Sequence, residues 1–292
     1  MLNVLFLILS IAPVVLVQVV KKTYTSKYPS GGALLFSAIS CFFIAVFFVF
    51  SSGFSLHPNP ALIPYVISFG ISYGLATISG YYSIRTGPLS LTSLITSYSL
   101  VVPTIYGLVF LGDKGSVFFY IGLVFLMVSL FAIGNKNKNK AKQDEKIKIT
   151  PIWIIAVIVS FLSNGLCSTF QTAQQKAFLG EYKNELMVLS LFGVAVSLFI
   201  LSLFVERKVF VPTLKHGWPY ALGLGIIGGA SNLFVMLLIS GTLPASVIFP
   251  TISAGGIIVT GLVALFVYKE KLSLWQIVGL VLGTCAVIFM NI

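Results

Sequence analysis

Asn164, Ser168, Gln171 and Gln175 recur at intervals of 4, 3 and 4, and they form the strongest chemical pattern in the chain. Residues three and four apart stack on one side of an α-helix, so a helix over 151–176 carries these four as a single stripe. Amide side chains both donate and accept hydrogen bonds. That is the chemistry of holding a neutral polar solute and not of breaking a bond. The stripe runs through Ile, Val, Leu and Phe, and lipid around it would leave its amides without partners. It must therefore face protein or a wet cavity. The competing use is to fasten helices together, at about 0.6 kcal/mol per interhelical hydrogen bond. Four stacked polar residues exceed that need, which favours a cavity lining.

Further candidates sit on other apolar stretches. Tyr73, Thr77 and Tyr81 are spaced by four, with Gly70, Gly74 and Gly80 between and beside them. The small residues let backbones approach closely, and the rings can stack on a ligand or cap a pocket. Asn232 and Met236 are also four apart, following Gly225, Gly228 and Gly229, and Gln18 is a lone amide in the first apolar stretch. These residues, with the stripe, form the expected substrate-binding set. Pro103 and Pro250 fall inside apolar stretches, where proline removes a backbone hydrogen bond and permits a kink, so they are the expected gating positions. The serines around them, Ser90, Ser93, Ser97, Ser246 and Ser253, are expected mostly to bond their own helix backbone.

Several apparent motifs carry less. Gly223-Leu-Gly-Ile-Ile-Gly228 matches a dinucleotide fingerprint as a string, but it lacks the preceding strand that gives those glycines their purpose, so it reads as helix packing. Gly279 and Gly283 form a small-xxx-small pair, with internal packing the expected role and a contact to a second subunit the alternative. His57 and His216 have no Cys or acidic partner at ligand spacing, and the three cysteines read as buried free thiols. No nucleophile with a base, paired carboxylates or metal-ligand set is apparent. The chain is not expected to be an enzyme or to hold a metal or cofactor.

The elements that must position these residues are membrane helices. Of 292 residues, 58% are hydrophobic and 9% charged, and the mean hydropathy is +1.04; a soluble domain carries about 25% charged residues. Breaks at charges, Pro/Gly clusters and polar turns delimit ten apolar stretches, at 3–20, 32–51, 61–84, 88–111, 116–134, 151–176, 185–205, 217–240, 243–267 and 273–291. Each approaches or exceeds the length of about 20 residues that crosses a bilayer. Residues 135–149, NKNKNKAKQDEKIKI, hold six Lys and are too charged to enter lipid. They divide the chain into 1–134, a linker over 135–150, and 151–292.

The two halves repeat one another. A shift of 157 pairs Gln18 with Gln175, Asp113 with Glu270, Lys114 with Lys271, Ser116 with Ser273 and Gly122 with Gly279; a shift of 156 pairs Thr86, Pro88 and Ser90 with Thr242, Pro244 and Ser246. Five spans per half is an odd number, so related halves insert with opposite orientation, the plan of many secondary transporters. Of the 18 Lys and Arg, 15 fall after odd-numbered spans or in the linker and three after even-numbered ones. The positive-inside rule then places the linker in the cytoplasm and both termini outside. The first stretch has no basic region before it and Lys21-Lys22 after it, so it reads as a reverse anchor and not as a cleaved signal peptide. The net charge of +11 is accounted for by this topology without any nucleic-acid partner.

The pattern resembles the EamA-type, ten-helix members of the drug/metabolite transporter superfamily. The resemblance rests on five plus five helices, the charged central linker, and a loose motif in each half: Thr86-Gly-Pro-Leu-Ser90 through Asp113-Lys114 to Gly122, and Thr242-Leu-Pro-Ala-Ser246 through Glu270-Lys271 to Gly279. It implies an all-α integral membrane protein of two inverted repeats, multi-pass in the plasma or bacterial inner membrane. All seven acidic residues lie at or outside the expected span ends, which disfavours a carboxylate proton relay and a cationic substrate. Arg85 and Lys176, at span ends, are expected to snorkel to the interface. The expected function is alternating-access transport of a small neutral or zwitterionic metabolite, amino acid-like or nucleoside-like, by a monomer or homodimer. A membrane-embedded receptor or scaffold is the alternative. For topology, a reporter active only in the cytoplasm is expected to report when inserted between Lys136 and Lys148 and to stay silent when fused at the C-terminus; the reverse pattern would overturn the orientation.

Overall fold

The structure, a computed structural model, describes residues 2–87, 92, 95–96, 98–113, 116–134, 150–266 and 274–290. Among them there are ten α-helices and no strand: α1 (Leu2–Lys27), α2 (Ala33–Ser51), α3 (Ile63–Thr86), α4 (Val101–Phe110), α5 (Val117–Gly134), α6 (Pro151–Ala177), α7 (Lys183–Val205), α8 (Phe210–Ile239), α9 (Ala245–Phe266) and α10 (Leu274–Met290). Five of them, α2, α3 with the 3-10 turn before it, α6, α7 and α8, are long and apolar enough to cross a membrane. The linker, residues 88–91 and the Glu270-Lys271 turn lie outside the described residues.

The surface is that of a membrane protein. Ile63, Ile67, Ile71 and Leu75 recur every four residues on α3, and all are about half exposed. On α6, Ile154, Ile155, Ile158, Leu162 and Leu166 are exposed while Gln171, Gln174 and Gln175 are buried. A soluble helix bundle turns its apolar faces inward; here the branched aliphatics face out and the amides face in, as an apolar solvent requires.

Helix ends follow local signals. Asn59 accepts a hydrogen bond from the Ala61 amide at 2.9 Å ahead of α3, and Thr150 accepts from the Trp153 amide at 3.2 Å, with Pro151 opening α6. After α6, Gly180 takes a left-handed conformation, φ +87°, and its amide donates to the Gln175 carbonyl. Two boundaries depart from the sequence expectation. The fourth apolar stretch is not one regular helix, because a 3-10 turn at Tyr98–Leu100 precedes α4 and Pro103 sits in the first turn of α4. α1 continues seven residues past the apolar run, since Lys21 and Lys22 end a lipid-compatible stretch without ending a helix; the chain leaves the helix just before Pro29.

Packing is close where small residues allow it. Gly225 and Gly229 on α8 meet Phe43 and Phe47 on α2, where an added Cβ would come to 2.3 and 2.5 Å of those side chains. Gly228 faces Ile44 and Gly223 faces open space, so this glycine run is largely a helix contact. Ser129 on α5 donates to the Gly279 carbonyl on α10. The remaining principal contacts join α3 to α6 and α7, α2 to α7, α1 to α8 and α9, α4 to α6 and α9, and α9 to α10.

The N-terminus of α2 has no cap of its own. Glu206, at the end of α7, accepts from the Leu34 amide through Oε1 at 2.9 Å and from the Leu35 amide through Oε2 at 3.0 Å, while Thr213 of α8 accepts from the Gly32 amide at 2.8 Å. A buried carboxylate on the positive end of a helix forms two charge-assisted bonds and binds three helices at one point. Glu206→Ala strands both amides and is expected to destabilise the protein by about 1–3 kcal/mol. Glu206→Gln, which keeps one acceptor, should lose less. Thermal unfolding in detergent reads both, and an unchanged midpoint for Glu206→Ala would refute the role.

Candidate functional site

One cavity of about 250 Å³ lies between the helices, lined by α1, α2, α3, the residues Thr92, Thr96, Ser99 and Leu100, α6, α8 and α9. Its polar lining comes from positions that the helical period turns away from lipid. Seven of the expected site residues border it: Gln18, Tyr73, Thr77, Asn164, Ser168, Gln171 and Asn232. Residues from both halves of the sequence thus meet across a single space, because α3 and α6 pack side by side and α8 packs against α1 and α2.

Three expected residues lie elsewhere. Tyr81 is buried in an aromatic cluster with Tyr24 and Phe36, and its hydroxyl donates to the Gly31 carbonyl at 2.9 Å, fastening α3 to the loop before α2. Gln175 is buried beside Gln174, to which its amide donates. It follows Gln171 by one turn, about 6 Å along the axis, which carries it past the end of the cavity. Met236 follows Asn232 by one turn in the same way and is buried in an apolar cluster with Phe48, Phe69 and Met187. Helical spacing gives a residue its face but not its depth, and Gln175 and Met236 are at the wrong depth; Tyr81 stands level with Gly80 and Ser83, which border the cavity, but is turned into the aromatic cluster. Both prolines are buried, Pro103 in the first turn of α4 and Pro250 within α9, and among the described residues of α9 only Phe249, Ile252 and Ser253 border the cavity.

The cavity ends at a polar bond. Gln171 Nε2 donates to Asn232 Oδ1 at 2.9 Å, and Asn232 Nδ2 donates to the Gly228 carbonyl at 2.8 Å. Tyr73 lies beside Asn232. Beyond this pair the apolar cluster containing Met187 and Met236 fills the space between helices. Elsewhere the hydroxyls mostly bond their own helices: Thr77 donates to the Tyr73 and Gly74 carbonyls, Ser83 to Gly80, Ser99 to Thr96 and Thr104 to Leu100. Asn164 Nδ2 is held by the Ser160 carbonyl at 2.8 Å, which leaves its Oδ1 as the acceptor. Gln18 Oε1 is buried with no hydrogen-bond partner.

Sequence reasoning misses Lys21. It places this residue in the loop after the first stretch, whereas α1 extends to Lys27 and puts Lys21 on the cavity wall one turn from Gln18. The available signal was the spacing of three between Gln18 and Lys21, which puts both on one face once the helix is allowed to continue. Arg85 and Lys176 are exposed and do not border the cavity.

No family model matches the chain, and no curated protein sequence matches it. Solved structures do. A crystal structure of a protein superposes with a TM-score of 0.69 over 97% of this chain and 98% of the other, at 10% sequence identity, and 28 solved chains match in all. At that identity the likeness concerns the fold alone.

The Gln171–Asn232 bond joins α6 to α8 at the end of the cavity. A double-mutant cycle with Gln171→Ala and Asn232→Ala, read by unfolding in detergent, is expected to give a coupling of about 0.6 kcal/mol and no more than about 1.7 kcal/mol. Additive single-mutant effects would show that the bond carries no energy.

Proposed function

We propose that this chain is a secondary transporter of the drug/metabolite superfamily type, with ten spans in two inverted five-helix repeats, moving a small polar neutral or zwitterionic metabolite by alternating access. The observation that carries the reading is the cavity, a space among seven segments lined by amides and hydroxyls in a bundle whose outer face is aliphatic. At about 250 Å³ it falls below the range of about 300–1,000 Å³ that suits drug-sized ligands, which favours a metabolite of amino-acid size.

The helix contacts support the repeat. Exchanging α1–α5 with α6–α10 turns the α3·α6 contact into α8·α1, α2·α8 into α7·α3, and α1·α9 into α6·α4, and each of these exists; α2·α7, α4·α9 and α5·α10 map onto themselves, while α9·α10 has no α4·α5 counterpart among the principal contacts of the described residues. A scaffold of partners has no need of a self-mapping bundle around a polar space, whereas a carrier that opens to either side does. In this reading the Gln171–Asn232 bond and the methionine-containing cluster behind it form the layer that parts, and the 3-10 turn ahead of Pro103 and the helix backbone bond that Pro250 cannot donate supply the flexibility.

The test is uptake into proteoliposomes from a panel of amino acids, nucleosides and sugars, expected to saturate for at least one solute. Asn164→Ala and Ser168→Ala are expected to raise KM for that solute by about 5- to 150-fold, the equivalent of one lost polar contact. Gln175→Leu, outside the cavity, should leave KM unchanged and affect only stability. If no solute in the panel crosses faster than in protein-free liposomes, the reading fails.

A further inference from the structure

Lys21 is the only charged residue among the described residues that line the cavity; no Asp or Glu borders it. Its ammonium lies over Gly80, where an added Cβ would come to 3.9 Å of Nζ and 3.5 Å of the Ser160 hydroxyl. A cation and a hydroxyl thus stand at the same place on the wall. The acids that might have balanced it are bound elsewhere: Glu206 to the α2 amides, Asp113 to the Ser246 amide and Glu185 to the His57 amide. An ammonium inside a helix bundle is costly without a counter-charge, and such a residue marks a solute or ion path by default.

A second observation points to the same space. Gln18, one turn back on α1 and also on the cavity wall, has a buried Oε1 that accepts no hydrogen bond. The wall of α1 therefore offers an unbalanced cation and, about 5 Å along the helix, an unfilled acceptor. A solute with a carboxylate and a nearby N–H donor fills both. A lone cation suits a singly charged group; a phosphate dianion would call for further basic residues, and Arg85 and Lys176 are both outside the cavity.

We propose that the cavity recognises its solute through a carboxylate held by Lys21, with Gln18 Oε1 receiving an N–H donor of the same molecule, so that the substrate class is α-amino acids or closely related N-substituted carboxylic acids. This deepens the transport reading and rests on the cavity being the solute site. It moves the expected neutral-or-zwitterionic class toward carboxylates, because Lys21 is a basic side chain on the cavity wall, whereas Arg85 and Lys176 lie outside it.

The test compares acids with their amides on the purified full chain. L-alanine, L-threonine, L-leucine, L-glutamine and L-phenylalanine, together with N-acetyl-L-leucine, are titrated against their α-carboxamides with thermal unfolding in detergent as the readout. At least one acid is expected to stabilise the wild type at a concentration about tenfold or more below its carboxamide, the scale of one charge-assisted hydrogen bond. Lys21→Arg should keep that preference, and Lys21→Gln should reduce it to within about threefold. Equal stabilisation by acid and amide in the wild type, no stabilisation by any acid, or a preference that survives Lys21→Gln each overturns the proposal, and the first two need no variant to fold. Uptake in proteoliposomes separates the two levels. Transport of an acid that is indifferent to Lys21→Gln defeats the site and leaves the carrier reading, whereas Lys21-dependent binding without uptake defeats the carrier reading and leaves the site.

Discussion

A backbone amide or carbonyl with no water to bond must find its partner within the protein, and this constraint shapes the bundle more than any apolar contact does. Between lipid and an aliphatic side chain there is little to gain from burial, since lipid is as apolar as leucine. What fixes the helices is therefore close approach at small residues, as at Gly225 and Gly229 against Phe43 and Phe47, and the satisfaction of helix ends. Glu206 and Thr213 supply acceptors for three amides at the start of α2 from two other helices, and Asp113, just past the end of α4, does the same for the Ser246 amide at the start of α9. The scarce acids serve the backbone first.

That use of the acids determines what the cavity is able to be. Serine and threonine hydroxyls on its walls are largely committed to their own helix carbonyls, and Gln171 and Asn232 are committed to each other. What remains for a solute is the remainder of that accounting: the Gln18 oxygen, the Asn164 oxygen, the Ser168 and Ser231 hydroxyls and the Lys21 ammonium. A polar residue that is fully satisfied by the fold contributes shape, whereas one left over contributes recognition. The proposed site is small because few such groups are left.

Much of this was legible in the sequence. The all-helical fold and five helices long enough to cross a bilayer follow from uninterrupted apolar length, and seven of ten expected binding residues border the cavity because period and polarity together give a face. Depth was not legible. Gln175 and Met236 share the right face with Gln171 and Asn232 but stand one turn beyond the cavity's end, and only the packing of Phe48, Phe69 and Met187 defines where that end is. Tyr81 is taken by the Gly31 carbonyl, a partner 50 residues away that no local pattern announces. Lys21 was hidden for the opposite reason: a charge ends the apolar signal, while a helix ends only when its backbone does.

On the proposed repeat, Gln18 and Gln175 occupy equivalent places, and each has a buried Oε1 without a partner. One borders the cavity and the other does not. The symmetry of such a repeat is a property of helix packing, which depends on size and can be kept by many sequences. The chemistry of the wall is a property of single side chains and is free to diverge: α1 carries Lys21 one turn after its glutamine, while the corresponding stretch of α6 ends in Lys176, which is exposed. A carrier built on two similar halves needs their backbones to exchange roles as it opens to either side, but it needs its solute anchored in one orientation. A symmetric scaffold with an asymmetric charge meets both needs, because the half that holds the charge sets which end of the solute stays fixed while the packing around it changes.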